Sequence, residues 1–353
     1  MRKSSRITIS ELAELAGVDK SIVSKVANGV SAGQVSAAKR SRIESLIRQY
    51  DYVPQSAARS LARRRNQQLA FLLTSPTQNS FANSAFSQML SGFAQQCFKR
   101  GYQCQVLSIE ASTLRDFLQP KNMYRLGIDG CVLAGVNSAL CSEHLAAIQM
   151  PFLLLGWEHL RSVLPVISRD SNLEYPELLK YSYSLGHRHI MFDTVSPRSQ
   201  ARFQKFAANH PDFTVEPCLV DSQLSEFALA ARQAELYAAR PPAERPTLLW
   251  GSDHFCCSFA TKLHQYGLSC PEDISIISYS ESWSAACYHP PLTTYSLDFQ
   301  QWGSTAAEVM LQIITDGLDL AASRRLADSH IPRSIWHHRQ SVRCLSPTSS
   351  DKT

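Results

Sequence analysis

From Leu69 onward the chain alternates short, continuously apolar runs with stretches of helical periodicity. The runs are LAFLL (69–73), CQVLSI (104–109), GCVLAG (130–135), PFLLLG (151–156), HIMF (189–192), TLLWGS (247–252) and ISIISYS (274–280). Between them lie helical patterns such as Ala85–Arg100, Leu173–Leu185, Ser225–Arg240 and Phe255–Tyr266. A strand with one wet face alternates apolar and polar residues. These runs do not, so they predict strands buried on both faces, in parallel sheets with helices on either side. Sheets of that kind take ligands beyond the carboxyl ends of their strands. The closing SVRCLSPTSSDKT, residues 341–353, reads as a frayed polar tail.

Before Leu69 the pattern is different. Thr8 followed by Glu11 is a capping-box pair, and Leu12, Leu15 and Ala16 fall on one helical face. Gly17-Val18-Asp19 makes a short turn. A second helix from Lys20 to Ala27 turns Ile22, Val23 and Val26 inward and Lys20, Ser21, Ser24 and Lys25 outward. A third, from about Ser36 to Tyr50, closes a small core with Ile43, Leu46 and Ile47. Two short helices joined through a glycine turn predict a helix-turn-helix, whose second helix enters the DNA major groove. Residues 53–68, VPQSAARSLARRRNQQ, are polar, basic and alanine-rich. Pro54 to Ala62 is too short for a stable helix alone in water, so it is expected to order only against a partner.

Charge sharpens this division. The chain is +5 overall, but residues 1–65 hold 13 Lys/Arg against 5 Asp/Glu, a net +8, and the remainder is net −3. A basic head on a slightly acidic body points to a polyanion as the head's partner. With 44% hydrophobic and 18% charged residues the chain can bury a core. It has no apolar run long enough to span a membrane, and its N-terminus turns amphipathic instead of forming a secretory signal. The 10 cysteines form no C-x-x-C pair and read as reduced core thiols of a cytoplasmic protein. No phosphate-binding glycine loop, zinc-protease or nucleophile-elbow motif occurs. His187 and His189 lack a cysteine or acid at ligand spacing and read as structural. No enzyme, cofactor or metal is expected.

The residues ITISELAELAGVDKSIVSKVANG, then VSAAKRSRIESLIRQYDYVPQSAARSLA, closely resemble the head of the lactose-repressor (LacI/GalR) family of bacterial transcription regulators. The segment from Asn28 to Val35 is about two residues longer than in the lactose repressor, by comparison with that family's motif spacing. Lys39 stands where Thr is common, and Lys25 where Arg is usual. The resemblance implies that Lys20, Ser21 and Lys25 read base edges, and that Thr8, Ser24, Asn28, Ser36 and Tyr52 contact phosphates. Lysine lacks the planar fork of arginine, so weaker discrimination is expected at Lys25. In the family two hinge helices pair in the minor groove. Ala58 matches their point of contact and Leu61 the wedge that kinks the duplex.

The body resembles the family's effector domain through RLGIDGCVLAG, LGHRHIMF, GLSCPEDISIISY and PPLTT, in order. The implied fold is an α helix-turn-helix head on an α/β periplasmic-binding-protein-like body of two doubly wound parallel-sheet subdomains with ligand between them. The division is a head at 1–53, a hinge and linker at 54–68, an effector-binding and dimerisation domain at 69–340 and the tail beyond. The cleft positions implied are Phe81, Trp157, Asp170, Arg202, Ser252, Asp253, Tyr279, Ser280 and Phe299. Three positions where the family grips sugar hydroxyls with carboxylates or amides carry Gly156, Ser252 and Ser280. Two readings stay open. The cleft takes a less hydroxyl-rich or more aromatic-stacked ligand, using Trp157, Tyr279, Trp283 and Arg202, or it is silent and the regulator is constitutive or protein-controlled.

The expected function is a DNA-binding transcriptional repressor, a homodimer or tetramer on a pseudopalindromic operator, controlled by a small sugar-related molecule. The rival is a ligand-capturing α/β protein whose basic head is incidental. Leu61→Ala and Lys25→Ala should weaken binding to specific DNA more than to non-specific DNA. A gel-shift titration giving equal losses on both would remove these assignments.

Overall fold

The structure, a computed structural model, describes residues 7–27, 35–52, 65–75, 83–110, 113–135, 145, 148, 150–156, 158–193, 197–221 and 224–345. It divides into two units, residues 1–68 and 69–353.

The head is a three-helix unit of α1 (Ile9–Ala16), α2 (Lys20–Ala27) and α3 (Ala37–Gln49). The capping box forms as expected. The Glu11 amide donates to Thr8 Oγ1 at 3.3 Å, and the Thr8 amide to Glu11 Oε2 at 2.7 Å. Gly17 ends α1 with φ 66°, a left-handed cap that a side chain would strain. Asp19 Oδ1 accepts from the Ser21 amide at 2.8 Å and so holds the first turn of α2. The core is Leu12, Ala13, Ala16, Val23, Val26, Ile43 and Tyr52. Leu15, expected inside, is 43% exposed. The inward stripe of α1 runs through Leu12, Ala13 and Ala16, which leaves Leu15 on its outer margin.

The body holds two sheets. The first contains β1 (Gln68–Ser75), β2 (Gln103–Glu110), β3 (Gly130–Gly135), β4 (Phe152–Leu155) and β5 (Val166–Ile167), in the order β2-β1-β3-β4-β5. The second contains β6 (His189–Phe192), β7 (Thr214–Pro217), β8 (Leu248–Gly251), β9 (Ser275–Ser278), β10 (Thr293–Ser296) and β11 (Ile335–His337), in the order β11-β10-β9-β8-β6-β7. The pairing of β1 with β3, β3 with β4 and β4 with β5 is parallel, as is that of β9 with β8 and β8 with β6. β11 is an antiparallel edge on β10. Strands β3, β4 and β8 are buried at every position, as their unbroken apolar runs require, and so is β9, whose Ile276 and Ile277 lie between two buried serines. The short edges β5, β7 and β11 carry no such run, so the pattern did not announce them.

The helices are α4 (Ser84–Lys99), α5 (Leu114–Phe117), α6 (Pro120–Arg125), α7 (Ser171–Ser184), α8 (Pro197–Asn209), α9 (Glu226–Ala238), α10 (Asp253–Leu263), α11 (Trp283–Cys287), α12 (Phe299–Asp316) and α13 (Leu320–Asp328). After β5 the chain passes from the first sheet to the second. After β10 it returns as α12 to the first sheet's core, and after α13 it goes back to β11. Each sheet is covered on both faces, giving two cores per subdomain. Helices α4 and α12 meet backbone to backbone: a Cβ on Gly92 would lie 1.8 Å from Gln300 O, and one on Gly303 1.8 Å from Met89 O.

The expected tail begins too early at 341. Ser341 is fully buried. Its carbonyl accepts from the Ile276 amide at 2.8 Å, and its hydroxyl accepts from the Thr293 amide at 2.7 Å and donates to Ile276 O at 2.6 Å. The Leu345 amide donates to Leu185 O at 2.7 Å. Residues 341–345 are thus stitched to the second subdomain by main-chain hydrogen bonds, which polar composition does not reveal.

His187 is fully buried beside Thr247 Oγ1, 2.9 Å from its Nδ1. Burial pushes its imidazole down to about 4. The folded protein therefore holds it neutral where the unfolded chain, near 6.5, takes up a proton. The stability it contributes is complete above about pH 6.5 and is lost as pH falls toward 4. Urea titrations should show on the order of 3 kcal/mol of such loss. A His187→Gln variant should lose the part of the slope between about pH 6.5 and 5, and an unchanged slope there would refute this account.

Candidate functional site

The head presents one polar face of α2. Lys20, Ser21 and Lys25 are exposed, Ser24 is half-buried, and Val23 and Val26 hold the opposite face in the core. The structure therefore brings together the three expected base-reading residues. The expected phosphate residues divide. Ser36 is exposed at the N-cap of α3, and its side chain makes no cap hydrogen bond. Thr8 Oγ1 donates to Glu11 Oε2 at 2.9 Å, so its hydroxyl is committed to the capping box. Tyr52 packs in the core, where burial raises its phenol above the ordinary value. Asn28, Ala58 and Leu61 lie outside the described residues. Sequence reasoning did not foresee the tie between Arg42 Nη2 and Leu15 O, 3.1 Å, which fixes α3 to α1.

In the body, the expected cleft residues Ser252, Asp253, Tyr279 and Ser280 lie at the carboxyl ends of β8 and β9, where parallel sheets take their ligands. Asp193, Ser252 and Tyr279 each follow directly on β6, β8 and β9, three neighbouring strands. Asp193 Oδ2 accepts from the Ser252 amide at 2.6 Å and from the Tyr279 hydroxyl at 3.1 Å. Ser252 caps α10 by accepting from the Phe255 amide at 3.1 Å, and its hydroxyl also donates to Glu226. Gly251 makes room for this carboxylate, since a Cβ there would lie 3.1 Å from Asp193 Oδ2. Asp193 was missed, although an acid directly after a buried apolar run is the signal that marks it.

Asp170 and Arg202 meet at a second place, an open pocket of about 600 Å³ that Glu158, His159, Arg161 and Asn172 also line. Asp170 caps α7, accepting from the Asn172 amide at 3.0 Å. Arg202, on α8, donates from Nε to Asn172 Oδ1 at 3.2 Å and pairs with Glu158 Oε1 at 3.6 Å. Its guanidinium lies 5.5 Å from the centre of the Tyr175 ring. Tyr175 in turn packs edge-on against Phe203 and Trp250, which sets the height of the arginine above the core.

Asp253, Ser280 and Phe299 are buried. Asp253 is 3% exposed and accepts from Ser84 Oγ at 3.5 Å. Ser280 is 7% exposed in a tight turn, its amide donating to Ser278 Oγ at 3.0 Å. Phe299 belongs to the first subdomain's core, stacked on Trp302 at 6.0 Å. A strand-adjacent aromatic reads the same in sequence whether it faces a cleft or a core. Phe81 and Trp157 lie outside the described residues. The described residues contain no group of His, Cys, Asp or Glu able to hold a metal ion. His189 instead lies 3.1 Å from Glu216, which also pairs with Arg240. No helix among the described residues is long and apolar enough to cross a membrane.

Comparison with known proteins fits this arrangement. Residues 8–55 match the family described as bacterial regulatory proteins, lacI family, and residues 179–334 match a periplasmic binding protein-like domain. The chain is 26% identical over 317 residues to the HTH-type transcriptional repressor PurR of Aliivibrio fischeri, covering 88% of this chain and 92% of that one. It is 26% identical over 321 residues to the ribose operon repressor of Escherichia coli, covering 87% and 93%. Among solved structures it is similar to the lac repressor dimer bound to operator and the anti-inducer ONPF, with a TM-score of 0.74 at 20% identity, covering 96% of this chain and 100% of that one. A transcriptional regulator CelR–cellobiose complex shares the fold at a TM-score of 0.60 and 19% identity, covering 95% and 100%. The chain thus carries a lacI-family helix-turn-helix domain joined to a periplasmic-binding-protein-like α/β domain.

Proposed function

We propose that this regulator represses transcription from a pseudopalindromic operator, and that a small molecule bound between the body's two subdomains sets its operator affinity. The observation that carries the DNA reading is the outward face of α2, with exposed Lys20, Ser21 and Lys25 on a head of net +8. Lysine and serine at the first turns of such a helix can donate to guanine O6 and N7 and to other base edges. Ser36 is exposed and Ser24 half-buried on the head, and both are proposed to meet phosphates together with Thr8, Asn28 and Tyr52, which are assigned by resemblance. Ala58 and Leu61 complete the proposed minor-groove contact of a homodimer. The family is one of regulators and not of enzymes, and a DNA partner puts its working place in the cytoplasm.

For the effector, Arg202, Asp170, Tyr279 and Ser252 supply polar contacts, with Phe81 and Trp157 as proposed aromatic ones. The ribose operon repressor and the CelR–cellobiose complex support a sugar-related molecule. Gly156, Ser252 and Ser280 remove carboxylates and amides that would hold sugar hydroxyls, which favours a ligand poorer in hydroxyls. The silent-cleft reading draws support from the burial of Ser280 and Phe299 and from Arg339 Nη1 lying 3.1 Å from Glu281 Oε2, which commits that acid internally.

Binding to duplex DNA should fall by roughly 10³-fold or more between 50 and 200 mM salt, the slope expected of six or more phosphate contacts. Affinity flat in salt would overturn the DNA reading. A thermal-shift screen of sugars, sugar phosphates, nucleosides and uronates should raise the melting temperature for one class, since a ligand of the native state stabilises it. A blank screen would leave the silent cleft standing.

A further inference from the structure

We infer that Glu158 is a built-in latch: its carboxylate ties the two subdomains across the cleft by holding Arg202 and the first turn of α7, so that an effector and the latch compete for the same arginine. The competition rests on the effector reading above, whereas the tie itself rests on geometry.

Glu158 lies in a one-turn 3-10 helix, Glu158–Leu160, whose Leu160 is buried in the first subdomain's core beside β1, β3 and β4. From there the carboxylate reaches into the second subdomain. Oε1 accepts from the Ser171 amide at 3.3 Å and lies 3.6 Å from Arg202 Nη2, and Oε2 accepts from the Ser171 hydroxyl. Ser171 opens α7 and Arg202 sits on α8. Both helices are rooted in the second core, through Leu178 and Leu179 and through Phe203 and Phe206. One carboxylate therefore joins two separately packed bodies. The Arg202 and Glu158 side chains are 16% and 24% exposed, so solvent screens this pair less than a surface pair.

A second tie crosses elsewhere: Gln88 Nε2, on α4, donates to Glu281 O at 2.9 Å. That bond is neutral, and a charged ligand does not compete for it. The Glu158 tie is ionic, and its cation is the one proposed for the effector. A ligand that takes Arg202 leaves Glu158 with only Ser171, so ligand entry and loosening of the subdomains become one event, coupled reciprocally. The sequence carries a matching change: Gly156 stands at the family's acidic position, and the acid lies two residues on at Glu158.

Hydrogen exchange on the full-length protein tests the latch. Glu158→Gln and Arg202→Gln should each speed exchange across residues 158–178 by about tenfold, and the double variant should be no faster than the faster single one, because all three lose the Glu158–Arg202 contact. Arg202→Lys, which keeps the charge, should restore most of the protection and shows that the fold survives substitution there. Additive effects, or no change in the single variants, would overturn the latch. Glu158→Gln should also weaken binding to a duplex selected from a random pool with the wild-type protein by about threefold or more, with an unchanged salt slope, because loosened subdomains spend less time in the binding-competent arrangement. Wild-type protein that binds no DNA refutes the regulator reading alone, since the exchange cycle still reports the tie. Wild-type protein that binds with a steep salt slope, beside a Glu158→Gln variant that matches it in affinity and in exchange, refutes the latch alone.

Discussion

A sheet buried on both faces can put polar chemistry only at the ends of its strands, and the rest of this body follows from that constraint. β3, β4 and β8 are apolar and buried throughout, and β9 is buried throughout with serines only at its two ends. Asp193, Ser252 and Tyr279 therefore cluster where β6, β8 and β9 stop, and Glu158 lies just beyond β4. Because the chain passes between the sheets after β5, β10 and α13, these ends belong to two separately cored subdomains. Under the proposed latch, a polar group that bridges them is a control point and not merely a stabilising contact.

This matters because the base contacts proposed for the head are modest. A lysine at the proposed base-reading position 25 lacks arginine's bidentate fork, and much of the affinity is expected from phosphates and from ordering the hinge. A shift of ~1.4 kcal/mol in the cost of that ordering alters operator affinity tenfold. A tie of the strength of one partly buried ion pair is commensurate with that shift.

Much of the site was legible before the structure because its signals are local. The outward Lys20, Ser21 and Lys25 follow from helical spacing once Val23 and Val26 are assigned inward. Asp170 and Arg202 were placed by motif and do meet at one pocket. What failed were inferences about surroundings. Phe299 has the composition of a cleft residue and packs in a core, Tyr52 is held by the head's interior, and Ser341 bonds to the inner strands β9 and β10 although its neighbours read as a tail. Glu158 was unmarked because its partners, Ser171 and Arg202, lie on other elements, and Asp193, though it follows an apolar run, showed its role only once Ser252 and Tyr279 were brought beside it.

Sequence alone determined the classes of element and the division of labour between them, since hydrophobic period, capping residues and charge segregation act over a few residues and are written in order along the chain. Tertiary structure alone decided which polar groups share a partner. Arg202 and Glu158 are separated by forty-odd residues of chain, by the count of the numbered sequence, and meet only because three crossings fold one subdomain's edge against the other. Such meetings depend on the sum of many packing contacts, and no local pattern encodes that sum.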